Sequence, residues 1–311
     1  MPTDAPPADL LQLDCRTCGA ELVFEPHLKT AECPYCASPN VVERPPSADR
    51  PPPAFAVGFQ VDAERAAEIA RRWLRSRGPF AHGGLKEAAV ERTRGVYLPA
   101  YLYSASAHAR WSADIGEDYV VVETYVTIDS KGRPVTRTRT RTETEWSYLS
   151  GEWATWVSDV LVSASRGLPN PELEAVEPFD LRAIRRYGPG IVAGWIAEEP
   201  SVDPETCRRT AHDETATRID AAVRDFLPGD RQRSVEIDSS VGDESTALVL
   251  LPVWVYAVRY AEAKPPLRLV INGQTGAAAG KVPLSVPKVT VGILLLVALV
   301  VLVVALAGGF G

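Results

Sequence analysis

A chain of 311 residues in which 46% are apolar or aromatic can bury one or more sizeable cores, which excludes a wholly disordered protein and leaves room for two or three domains. Its formal charge of −7 repels polyanions, so a nucleic-acid partner would need a local basic surface. The N-terminal fifty residues do not supply one: Asp4, Asp9, Asp14, Glu21, Glu25, Glu32, Glu43 and Asp49 outnumber Arg16, Lys29, Arg44 and Arg50.

Residues 1–10 are acidic and proline-rich, with neither the cationic start nor the apolar stretch of a secretory signal, and are expected to be a disordered N-terminus. Next come Cys15-Arg-Thr-Cys18 and Cys33-Pro-Tyr-Cys36, four of the chain's five cysteines. Two Cys-x-x-Cys knuckles across a short hairpin can offer four thiolates tetrahedrally to one Zn²⁺, so residues 11–44 are expected to be a zinc ribbon with Cys15, Cys18, Cys33 and Cys36 as ligands. Four thiolates close the coordination sphere, which makes the zinc structural rather than catalytic. His27 lies between the pairs and is expected to be a loop residue.

Residues 45–57 contain Pro45-Pro46 and Pro51-Pro52-Pro53 and form an expected extended linker. Residues 58–280 are then expected to form an α+β domain with an antiparallel sheet. Ala66, Ile69, Ala70, Trp73 and Leu74 recur at helical spacing after Asp62, with Arg71, Arg72 and Arg75 on other faces as solvated charge. Strands are predicted at 104–114, 119–128, 135–148 and 154–163, with turns at 115–118, 130–133 and 150–151. From Thr136 to Glu145 charge and threonine alternate, which puts Arg137, Arg139 and Arg141 on one strand face, where they deter edge-to-edge pairing.

Asp203-Pro204 predicts a second helix with Ile219, Ala222, Val223 and Phe226 as its apolar stripe. Strands follow at 248–260 and 267–272, with Asn272-Gly273 as a turn. Val96-Tyr-Leu-Pro-Ala-Tyr-Leu-Tyr103 echoes Val249-Leu-Leu-Pro-Val-Trp-Val-Tyr256, either through internal duplication or through the chance likeness of two apolar strands.

Residues 281–288 are an expected juxtamembrane linker. Residues 289–310 carry no charge and as a helix would reach about 33 Å, the thickness of a bilayer core, which predicts one C-terminal transmembrane helix. Lys264, Arg268, Lys281 and Lys288 precede it, so the expectation is a single-pass, tail-anchored protein of the cell membrane with its N-terminal domains in the cytoplasm, where cysteines stay reduced.

No other cluster marks a reaction centre. Cys207 is expected in a core, His82, His108 and His212 form no metal-spaced pair, and no phosphate loop, nucleophile elbow or HExxH is present. An enzyme would have to join distant polar residues such as Glu198, Asp213 and Arg139 in one cleft.

Cys15-x-x-Cys18-Gly19-Ala20, Cys33-Pro34-Tyr35-Cys36, Tyr97-Leu98-Pro99-Ala100-Tyr101, Ala193-Gly194-Trp195-Ile196-Ala197-Glu198, Leu251-Pro252-Val253-Trp254 and Ile271-Asn272-Gly273-Gln274-Thr275-Gly276 with Gly280 together resemble bacterial TFIIB-type zinc-ribbon membrane proteins, often labelled zinc-ribbon or primosomal-protein-N′-like. The resemblance runs over nearly the whole chain. It implies a zinc site at the four cysteines, a cytosolic α+β region and no established reaction. The replication label does not carry over, since no GxxxxGK[ST] loop is present. The expected function is thus a membrane-anchored, zinc-binding adaptor or scaffold for a protein partner, without catalytic residues, cofactor-binding residues or a small-molecule substrate. The alternative is a nucleic-acid-binding zinc-ribbon protein tethered to the membrane.

Overall fold

The computed structural model describes residues 11–24, 33–36, 41–43, 52–85, 88, 90–128, 130–192, 194–261, 264 and 266–308. The expectations for residues 1–10, for His27 and for the start of the proline-rich segment lie outside the described residues.

The strands are β1 (Leu11–Cys15), β2 (Glu21–Phe24), β3 (Val41–Glu43), β4 (Phe55–Ala56), β5 (Val90–Ile128), β6 (Pro134–Ser163), β7 (Arg185–Arg186), β8 (Ile196–Glu198), β9 (Arg231–Val258), β10 (Leu267–Asn272) and β11 (Ala278–Gly280). Among the described residues the α-helices are α1 (Ala63–Arg75), α2 (Asn170–Glu174), α3 (Pro189–Val192), α4 (Pro204–Phe226) and α5 (Val286–Gly308).

The chain divides into two compact units. The first comprises residues 1–102, 161–208 and 247–311. Its strands follow the order β11-β10-β9-β5-β8-β2-β1-β3. The expected antiparallel α+β architecture is corrected here to a large mixed sheet. Phe55 runs parallel beside Val249, and Val96 runs parallel beside Ile196. β4 and β8, the strands that introduce parallel pairing, are two and three residues long, too short for alternation to reveal them. The knuckle strand β2 also enters this sheet, pairing Leu22 with Glu198 and Val23 with Ala197.

The two echoing segments lie in β5 and β9, which are neighbours in the sheet. Leu98, Ala100, Leu251 and Val253 enter one core with Cys15, Leu22, Cys33 and Tyr35. Trp254, Tyr256 and Leu269 enter a second core under α1. α1 forms where its spacing predicts it: Asp62 caps it by accepting from the Arg65 N–H at 2.8 Å, and Ala66, Ala70, Trp73 and Leu74 are buried. The turn after β10 also matches, because the Asn272 side-chain oxygen accepts from the backbone N–H groups of Gln274 and Thr275.

The second unit comprises residues 103–160 and 209–246. Ala107, Trp111 and Ile115 of β5 pack with Ile219 and Val223 of α4. Two predicted turns, at 115–118 and 150–151, are strand instead. Ile115 is buried, and Asp118 accepts from Thr144 and pairs with Arg231, so this acid serves cross-strand pairing rather than a turn. A Cβ on Gly151 would lie 2.9 Å from the Trp111 ring, so this glycine makes room for packing rather than for reversal. Phe226, expected in the buried stripe of α4, is 55% exposed.

The expectation of a transmembrane helix, and with it the single-pass placement in the cell membrane with cytoplasmic N-terminal domains, is corrected: among the described residues no helix is long and apolar enough to cross a membrane. The first turns of α5 are tied to the first unit. The Lys288 ammonium donates to the Ala81 carbonyl at 3.0 Å, Ser285 N–H donates to the Phe80 carbonyl, and the Phe80 ring lies 2.6 Å from where a Cβ on Gly292 would stand. Farther along, Ile293, Leu294, Leu295 and Leu296 are exposed.

Candidate metal centre

β1 delivers Cys15 at its last residue, and the chain turns back at once into β2. Cys15 N–H donates to the Ala20 carbonyl and Gly19 N–H to the Cys15 carbonyl, each at 2.8 Å. The reversal needs Gly19 at φ 77°, a left-handed conformation that side-chain-bearing residues resist. This tight loop brings Cys18 beside Cys15, and the Cys33–Cys36 turn faces it.

The four sulfurs lie within 4.8 Å of one another. Cys15 Sγ is 3.6 Å from Cys36 Sγ, and Cys18 Sγ is 3.6 Å from Cys33 Sγ. Four sulfurs at the usual Zn–S length would stand about 3.8 Å apart around a tetrahedral ion. All five cysteines of the chain are free thiols. The four knuckle residues therefore fit a metal ion in number, donor type and spacing. Contact between the Cys18 and Cys33 sulfurs couples their protons, lowering the Cys18 thiol and raising that of Cys33, with burial adding to the rise.

Residues outside the motif fix the second knuckle. Tyr35, 1% exposed, donates its hydroxyl to Glu198 Oε2 at 2.6 Å, and Ser165 donates to Glu198 Oε1 at 2.6 Å. Burial is the main cause that lifts Glu198 to about 8, partly opposed by these two hydroxyl hydrogen bonds. Burial, and then the charge of Glu198, hold the Tyr35 phenol well above its usual range. Arg268 donates through Nε to the Tyr35 carbonyl at 3.0 Å, and through one terminal nitrogen to the Gly167 carbonyl and to Glu172 Oε2, the latter at 3.0 Å. A Cβ on Gly167 would meet both Ala20 and the Tyr35 ring at 2.8 Å. The site is therefore built into a core shared with Val57, Leu98, Leu173 and Val270.

The remaining candidates have local partners. Cys207 is buried with its sulfur 3.6 Å from the Ser163 carbonyl, and burial pushes its thiol up to about 11. His212 Nδ1 is 3.4 Å from Glu244, and His82 accepts from Gly84 N–H. Arg139 and Arg141 pair with Glu123, and Arg141 also with Glu143. Glu198 is held by Tyr35 and Ser165, and the Asp213 carbonyl accepts from Thr217 within α4. Sequence reasoning gave Glu198, Tyr35, Ser165 and Arg268 no place at the metal centre. The signal for Tyr35 was its position inside the second knuckle, whereas the others reach the site only through long-range pairing.

No family model matches the chain. It is 22% identical over 240 residues to "Uncharacterized protein YdjG" of Bacillus subtilis (strain 168), and the match covers 76% of this chain and 65% of that protein. No solved structure matches. Of the resemblance to TFIIB-type or primosomal-protein-N′-like chains, the structure supports the core element, a four-cysteine cluster able to form a zinc-ribbon-like site, and no family model or named relative supports the finer label.

Proposed function

We propose that the chain is a zinc-stabilised binding protein, in which Cys15, Cys18, Cys33 and Cys36 hold one structural Zn²⁺ and the fold they secure presents a surface to a protein partner. The observation that carries the zinc reading is the cage itself: four sulfurs within 4.8 Å, with two pairs at 3.6 Å. An all-thiolate set selects a soft ion, and its closed tetrahedral sphere leaves no position for a substrate or an activated water. The role is therefore to hold structure, which supports an adaptor over an enzyme. Pairing of Arg139 and Arg141 with carboxylates, together with the charge of −7, weakens the nucleic-acid alternative.

Cobalt substitution of the full chain tests the metal reading. The expected spectrum is that of tetrahedral thiolate coordination, unchanged by added azide, because no position is open to it. An azide-sensitive spectrum would assign an open, catalytic metal instead. The adaptor reading is tested by retention of one defined protein on the immobilised, zinc-loaded chain after nuclease treatment. Release of all bound material by nuclease would overturn it in favour of nucleic acid.

A further inference from the structure

The first unit carries a cavity of about 420 Å³ between α2 and the β10–β11 hairpin, within the size range of small-molecule sites. Its walls are mainly apolar, with Pro171 and Ala175 on the α2 side and Leu267, Val270 and Ala279 on the hairpin side. Three charged residues are among those that line it: Arg268, Lys281 and Glu172. Glu172 is already matched by the Arg268 guanidinium at 3.0 Å. Lys281 is exposed and has no carboxylate partner among the described residues, so its ammonium is free to meet an anion at the rim of the apolar pocket.

That combination selects its occupant. An uncharged apolar molecule would leave the Lys281 charge unused, and a cation would be repelled by it. A molecule with an apolar body and a single anionic group satisfies both the walls and the ammonium. We propose that this cavity is a binding site for a small amphipathic carboxylate, its apolar body against Val270, Ala279 and Pro171 and its anionic group on Lys281. The site stands on residues other than the cysteines, so it holds or fails independently of the metal reading. Arg268 nevertheless lines the cavity while donating to the Tyr35 carbonyl of the second knuckle, so the occupied pocket shares a wall with the support of the metal centre.

Decanoate, titrated below its micellar concentration into the full zinc-loaded chain, is the test, with decanol and decyltrimethylammonium as matched neutral and cationic probes. The expected result is saturable binding of one decanoate, weaker binding of decanol, and none of the cation. Lys281→Glu should weaken decanoate by about tenfold or more, the loss of a charge-assisted contact. Ala175→Trp, which fills the mouth from an exposed position on the α2 side, should weaken decanoate and decanol together, with the unfolding midpoint of both variants unchanged. Absence of decanoate binding, equal binding of the cation, or binding indifferent to both substitutions, as the exposed apolar side chains of α5 would give, would each overturn the proposal.

Discussion

Tyr35 and Glu198, 163 positions apart, meet through a 2.6 Å hydrogen bond from the phenol to a carboxyl oxygen of Glu198, a residue 2% exposed. The bond ties the second cysteine knuckle to β8, the strand that lies between β2 and β5 in the sheet. Deleting the hydroxyl by Tyr35→Phe leaves one Glu198 oxygen without its donor. The expected cost is about 1–3 kcal/mol in denaturant-induced unfolding, the penalty for stranding a buried polar group. A cost near zero would mean that solvent reaches Glu198.

The same carboxyl makes stability depend on pH. An unfolded glutamic acid titrates near 4.5, whereas burial keeps Glu198 protonated up to about 8. Between those values the folded state holds one more proton than the unfolded state, so this contribution to stability is present at low pH and is lost as pH rises through the window. Glu198→Gln, neutral throughout, removes the loss. The stability of Glu198→Gln relative to the parent should rise with pH by about 1.4 kcal/mol per unit at the steepest. Measurement from about pH 6 to 8 keeps the thiolates metal-bound throughout. A pH-independent difference would show that Glu198 is ionised in the fold.

Arg268 is expected to be irreplaceable by lysine. Its guanidinium reaches the Tyr35 carbonyl, the Gly167 carbonyl and Glu172 at once, a spread that a single ammonium cannot reproduce. Arg268→Lys should lower stability by about 2 kcal/mol and speed metal loss to a competing chelator. Asp62→Ala provides the contrast: removing the α1 cap should cost about 1 kcal/mol and leave the rate of metal loss unchanged.

Thiol counting separates the five cysteines. With metal bound, a thiol reagent should find almost no fast-reacting group. Chelation should release the four knuckle thiols. Cys207, buried and with its thiol raised to about 11, should react only on unfolding. Chelation should also lower the unfolding free energy of the first unit by about 3–4 kcal/mol, the linkage expected for a ligand at a few hundred times its dissociation constant, because Cys15 and Cys33 are part of its core. Four fast thiols in the untreated protein would contradict the closed site.

The cysteine cage was legible in the sequence because metal chemistry demands a residue type at a fixed spacing. α1, α4 and β10 were legible because apolar period and caps are local signals. The mixed sheet was not, since parallel pairing of Val96 with Ile196 and of Phe55 with Val249 joins segments roughly a hundred or more positions apart through strands of two or three residues. Glu198 stood out in the sequence only as one of several distant polar residues, and its place beside the metal centre depends on Tyr35 and Ser165 arriving from elsewhere in the chain. The hydropathy of residues 289–310 invited a membrane span because composition alone does not carry how Lys288 and Gly292 fasten the first turns of α5 to Ala81 and Phe80.

The decisive measurement is the metal content of the purified full-length chain by elemental analysis, alongside Cys18→Ser and Cys33→Ser variants. One zinc per chain in the parent and a large loss in both variants is the expected result. A parent without stoichiometric metal, or variants that keep it in full, would contradict the four-thiolate centre.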